Sequence, residues 1–158
     1  MLAWGNPGRL DDGLGPAFAE IAAGWRLDGL NVDSDYQLHV EDADRVARCR
    51  RVIFVDADRT CVAPFRIERI RAGRSGMAFS SHSVAPESVL ALARDLFRSE
   101  PEAWVVGIRG YEFDEFGERL SQSGKANLRA AAAFLEVALR EDRLRGTTSH
   151  ETEKTHVG

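Results

Sequence analysis

Two short apolar runs constrain this chain more than any other feature. Arg51-Val52-Ile53-Phe54-Val55-Asp56 and Ala103-Trp104-Val105-Val106-Gly107-Ile108 are rich in β-branched and aromatic residues and carry no polar alternation. Each is too short for a helix, so each predicts a strand covered on both faces. Such strands need helices above and below, and the helical periods are present. Leu14, Ala17, Phe18, Ile21, Ala22 and Trp25 recur on one helical face, with Pro16 suited to a first turn. Pro86 to Phe97 repeats the pattern through Val89, Leu90, Ala93, Leu96 and Phe97. A last helix starting around Ser121 to Gly124 turns Leu128, Ala132, Leu135 and Leu139 inward. Leu2-Ala3-Trp4 reads as a short first strand, Asn31 to Val40 as extended chain and Glu41 to Cys49 as a short helix. Phe65 to Ile70 reads as a weaker strand near an edge, because Arg66, Glu68 and Arg69 interrupt it. Alternating strands and helices predict an α/β fold: a single three-layer domain with a twisted, mostly parallel sheet flanked by helices on both faces.

The domain is expected to occupy residues 1–145. After Arg145 the run from Gly146 to His156 has almost nothing to bury, so residues 146–158 are expected to form a disordered tail. Lys and Arg total 21 against 25 for Asp and Glu, a formal net charge of −4, which disfavours a nucleic-acid partner. Two cysteines, Cys49 and Cys61, make neither a disulfide scaffold nor a thiolate zinc site by themselves. Arg48, Arg50 and Arg51 around Cys49 could lower its pKa, but no His follows in a pairing pattern. No apolar run approaches the roughly 20 residues that span a bilayer, so no membrane partner is expected. The start, Met1 to Gly5, lacks the pattern of a secretory signal, and a cytoplasmic address is expected.

Ligands bind at the carboxyl ends of strands in sheets of this kind. Asp11 and Asp12 follow the first strand, Asp56 and Asp58 follow the buried run, and Ser80-Ser81-His82-Ser83 precedes the helix at Pro86. If those strands are neighbours, Asp12, Asp56 and His82 meet at one edge. Two carboxylates and an imidazole suit a borderline divalent ion with open coordination positions. Each residue also has a plainer reading. Asp11 or Asp12 could cap the following helix, Asp56 could bind loop amides, and His82 could simply pack or hydrogen-bond.

The run Gly5-Asn6-Pro7-Gly8-Arg9-Leu10-Asp11-Asp12-Gly13-Leu14-Gly15-Pro16 resembles the opening motif of the nickel–iron hydrogenase maturation endopeptidases. Further blocks follow in the same order: Asp35 to Leu38 with Val40 to Ala43, Val52 to Ala57, Ser81 to Glu87, Gly107 to Phe113, and Leu120-Ser121. The resemblance covers about residues 2–140. It implies an endopeptidase that removes a C-terminal extension from the nickel-loaded precursor of the hydrogenase large subunit. It also implies that the metal-contacting positions fall on Asp12, Asp56 and His82, with water as the nucleophile. The nickel would be carried by the substrate, and the enzyme would hold little or no metal of its own. The precursor is the expected partner and a monomer the expected state. Only four residues precede Gly5, so the first strand should be short, and Ala85 stands where a capping Ser would hold the helix better.

Two other functions compete. A non-catalytic module could inspect nickel loading of the same precursor through the same contacts. Peptidyl-tRNA hydrolases also open on Gly-Asn-Pro-Gly, but their following catalytic His is absent here, where the chain continues Arg9-Leu10-Asp11-Asp12.

Overall fold

A computed structural model describes residues 1–74 and 84–144. The two apolar runs form the centre of a five-stranded sheet. They are β3 (Arg51–Asp58) and β5 (Glu102–Arg109), paired in parallel along their whole length from Arg51 opposite Glu102 to Asp58 opposite Arg109. β1 (Leu2–Trp4) lies in parallel on the other side of β3, with Ala3 opposite Val55. β2 (Asp33–Asp35) closes that edge, also in parallel. β4 (Phe65–Ile70) forms the opposite edge and is the one antiparallel strand of the sheet, whose order is β2-β1-β3-β5-β4. The expected edge position of 65–70 follows from its charged residues, which only an edge can leave in water.

Alternation along the strands sends side chains to two separate cores. Ala3, Ile53, Val55, Trp104, Val106 and Ile108 pack under α1 (Leu14–Ala23) and α4 (Gln122–Arg140). Leu2, Val52, Phe54, Ala103 and Val105 pack under α2 (Asp42–Ala47) and α3 (Pro86–Phe97). Helices therefore cover both faces, as the uninterrupted apolar strands require. Phe18 is completely buried and meets Trp25 edge-on, with ring centroids 5.7 Å apart. Burial of a ring of that size contributes about 1.5–3 kcal/mol.

Three elements differ from the sequence expectation. The extended segment expected over 31–40 is a strand only at Asp33–Asp35, all three residues exposed. These residues have poor β propensity; they are extended because β1 supplies a ladder, prolonged by Asp33 N–H donating to the Met1 carbonyl and Gly5 N–H to the Asp35 carbonyl. β3 runs on to Asp58, so Asp56 lies within the strand and not after it. Neither Asp11 nor Asp12 caps α1: the N-cap is Gly13, without a side-chain hydrogen bond. Ala85 does cap α3 without a side-chain bond, and Pro86 opens that helix. The tail expected at 146–158 lies outside the described residues. Among the described residues, no helix is long and apolar enough to cross a membrane.

Candidate functional site

The chain leaves β1 for β2 on one side and then returns across β1 to β3 on the other. Their following helices, α1 and the α2/α3 layer, cover opposite faces. The carboxyl ends of β1 and β3 therefore border a crevice at a reversal of strand order, the usual ligand position in open α/β sheets. One step beyond the Ala3–Val55 pair lie Trp4 and Asp56.

Asp56 shares the face of Val52 and Phe54 but sits beyond the cover that α2 and α3 give those residues. It borders a cavity of about 250 Å³ together with Trp4, Asp58, Arg66, Glu68 and the first residues of α3, Pro86 and Glu87. Burial is the main reason its carboxyl is pushed up to about 7. The Ala57 N–H, 2.7 Å from Oδ1, works against that shift. The charge of Asp12 adds to it, the Trp4 indole opposes it, and Asp58 adds a smaller push. At neutral pH, Asp56 is thus divided between acid and carboxylate. It can hold or release a proton there.

Asp12 reaches the same crevice from a 3₁₀ turn, Leu10–Gly13, between β1 and α1. It is half-buried, and its Oδ2 accepts the Asn6 N–H at 2.9 Å. Asn6 Oδ1 in turn accepts the Gly8 N–H at 2.9 Å. This loop is wound so tightly that a Cβ on Gly5, at φ +142°, would overlap the Asp12 carbonyl oxygen. A Cβ on Gly15 would overlap the carbonyl of Trp4. The glycines hold the end of β1 against the start of α1, and Asp12 is fixed between them.

Asp11, the neighbour that the sequence leaves equivalent to Asp12, has another task. It is fully buried and accepts four hydrogen bonds. They come from the Tyr111 N–H at 2.8 Å, the Glu112 N–H at 3.2 Å, the Ser121 N–H at 2.8 Å and the Ser121 hydroxyl at 2.7 Å. Burial by itself would raise its pKa. The Ser121 hydroxyl and the three N–H groups outweigh burial and hold the carboxyl below the ordinary range. Ser121 is also the N-cap of α4, accepting the Gly124 N–H at 2.9 Å. Asp11 therefore fastens the opening loop to the end of β5 and the start of α4.

Asp58 is likewise committed. Its Oδ1 accepts the N–H groups of Thr60 and Cys61, and its Oδ2 accepts Arg66 Nε at 2.6 Å. Arg66 leads the contacts that outweigh burial and bring this carboxyl down to about 2. Arg66 is also paired with Glu68 at 2.8 Å. Among the described residues, Asp56 and Glu87 at the cavity and Asp12 beside it form no ion pair with Lys or Arg, so the crevice favours a cation.

His82, with Ser80, Ser81 and Ser83, lies outside the described residues. The chain re-enters at Val84, two residues before Pro86 at the cavity wall. Among the described residues, no group of three or more His, Cys, Asp or Glu side chains is placed to hold a metal ion. The structure thus brings Asp12 and Asp56 to one crevice. Trp4, Arg66, Glu68 and Glu87 escaped the sequence reading. In the sequence the charges of β4 mark only an edge, although the i, i+2 row Arg66–Glu68 faces the cavity. Cys49 and Cys61 are both free thiols. Cys49 donates to the Arg45 carbonyl, and burial, followed by the charge of Asp58, raises the pKa of Cys61.

No protein-family model and no curated protein matches the chain. Solved structures do. The hydrogenase maturating endopeptidase HybD from Escherichia coli superposes with a TM-score of 0.69 at 22% identity, covering 89% of this chain and 91% of that one. The NiFe hydrogenase maturation protease HycI from Thermococcus kodakarensis KOD1 gives 0.66 at 18% identity, over 88% and 90%. HybD from Thermococcus kodakarensis, also a NiFe hydrogenase maturation protease, gives 0.57 at 25% identity, over 86% and 95%. The chain has the fold of the hydrogenase maturation proteases, the family that its sequence blocks resemble.

Proposed function

We propose that this chain, built on the hydrogenase maturation protease fold, is an endopeptidase that removes a C-terminal segment from the nickel-loaded precursor of a NiFe hydrogenase large subunit. The observation that carries the reading is the convergence of Asp12 and Asp56 on the crevice where the strand order reverses. The reading adds His82, which only Ser83 and Val84 separate from Ala85 in the sequence. Asp12 and Asp56 supply hard oxygen ligands and His82 an imidazole nitrogen. Such a set is too sparse to retain a free ion firmly and gains from donors that the substrate brings with its nickel.

The nickel is cargo of the substrate in this scheme. Asp12, Asp56 and His82 take open positions on it and so hold the adjoining peptide over the crevice. Hydrolysis adds water across one peptide bond: the water oxygen bonds to the carbonyl carbon, the C–N bond breaks, and a proton goes to the leaving amine. The metal ion either polarises the carbonyl or activates the water.

The test is intact-mass measurement of nickel-loaded and nickel-free precursor after incubation with the protein. Loss of a C-terminal peptide from the loaded form alone is the expected result. Binding without a change of mass would establish a nickel-loading checkpoint instead. Absence of any interaction with the precursor from the same organism would refute both.

A further inference from the structure

We propose that Arg66 binds the cleaved segment of the precursor, donating uncommitted guanidinium N–H groups to a backbone carbonyl about two residues past the cut. The proposal rests on the function inferred above and adds the path that the segment takes across the sheet.

Asp56 lies opposite Gly107 and Gly107 opposite Arg66, so one row of residues runs from β3 over β5 to β4 on a single face of the sheet. Gly107 leaves the middle of that row bare, and the Arg66 side chain lies across the gap. Its Nε donates to Asp58 Oδ2, on β3, at 2.6 Å. Glycine is required beneath this pair, because a Cβ at 107 would stand 2.9 Å from Asp58 Oδ2 and 3.0 Å from Arg66 Nε. Arg66 NH1 donates to Glu68 at 2.8 Å. Two carboxylates thus fix the guanidinium although its side chain is 45% exposed, and its remaining N–H groups have no partner among the described residues. An arginine oriented before contact loses little entropy when it meets a ligand.

Size and charge select the occupant. Arg66 and Asp56 line the same cavity of about 250 Å³, smaller than the roughly 300–1,000 Å³ that encloses a drug-sized ligand. A folded body does not enter such a space, whereas an extended chain end does. Asp58 and Glu68 offset the charge of Arg66, and Asp56 and Glu87 add further carboxyl groups, so the cavity repels an anion. What it offers is N–H donors without excess positive charge, which suit the neutral carbonyl of a peptide. In the proposed reaction the nickel sits at the Asp12–Asp56 end. Asp58, which fixes the guanidinium, follows Asp56 by two residues on the same face of β3, about 7 Å away. An extended peptide spans that distance in about two residues. A contact with backbone is indifferent to the sequence of the segment and sensitive to its length.

The experiment measures kcat/KM for nickel-loaded precursors whose segments run from one residue past the cut up to full length, with cleavage read by intact mass. The parent is expected to gain about tenfold once the segment exceeds about two residues, and to keep that gain at every greater length. Arg66→Met is expected to lose the gain. Arg66→Lys, which keeps a cation beside Asp58 but not the planar fork, makes the same comparison if Arg66→Met does not fold. A gain of equal size in the folded variant would overturn the proposal, as would a parent indifferent to length. A loss equal at every length, with the gain retained, would show a structural role through Asp58 and overturn it as well. A maximum at one length would show that the terminal carboxylate is held and not a carbonyl, against the proposal. A parent that cleaves no precursor at any length refutes the endopeptidase reading itself, and the proposal with it.

Discussion

Replacing Asp56 by Asn removes a charge that the fold is poorly able to solvate. Its carboxyl is raised from the ordinary 3.8 to about 7, with burial as the leading cause. The folded state therefore binds this proton more tightly than the unfolded chain does, and stability falls as pH rises between those two values. The whole gap is worth about 4 kcal/mol, reached above about pH 7. Between about pH 5.5 and about pH 8.5 the part lost is about 2 kcal/mol. An Asn side chain has nearly the same shape, keeps an oxygen for the Ala57 N–H and does not titrate. Urea unfolding of both proteins at the two pH values isolates the effect, because every other titrating group is common to both. The advantage of Asp56→Asn over the parent should grow by about 2 kcal/mol on going to the higher pH. Parallel stability–pH profiles would show that Asp56 is solvated well enough to ionise normally, and the electrostatic account of the crevice would be wrong.

Asp56 must be ionised to meet a cation, so the initial rate of precursor processing should rise with pH and reach half its maximum near pH 7; a flat profile across that range would remove Asp56 from the proton and cation chemistry. Asp11→Ala strands three N–H groups and the Ser121 hydroxyl in the interior and should cost about 3–5 kcal/mol in urea unfolding. Because the folded pKa of Asp11 lies below the ordinary value, its contribution is complete above about pH 4 and fades as pH falls through the folded value, so the variant should also lose that acid-side slope. Gly15→Ala drives a methyl group into the Trp4 carbonyl and should lower stability by about 3 kcal/mol or more, read as a fall in melting temperature. His82→Ala should abolish processing with an unchanged melting temperature; normal cleavage by the folded variant would take His82 out of the mechanism.

The parts of the fold that were legible share a cause. β3 and β5 announce themselves because both of their faces meet helices, and α1, α3 and α4 because one face of each meets the sheet. β2 was not legible at its true length. Asp33, Ser34 and Asp35 bury nothing, and only the backbone of Leu2–Trp4 makes them a strand. The candidate site was legible as far as strand ends alone decide it: Asp12 comes from the turn after β1 and Asp56 from the last residues of β3, at positions that the topology sets. The division of labour between Asp11 and Asp12 was not. The two are adjacent in sequence and identical in chemistry, and their difference is set by Tyr111, Glu112 and Ser121, as much as 110 residues away.

That long span makes the site edge a late product of synthesis. A chain released only as far as Glu112, just past β5, already holds Asp12, Asp56 and the sheet that joins them, but not Ser121, which gives Asp11 two of its four hydrogen bonds. Until the head of α4 arrives, the opening loop has lost half of its buried anchor and one face of the sheet lacks one of its two covering helices. A half-made chain therefore has the letters of the site without a rigid frame for them.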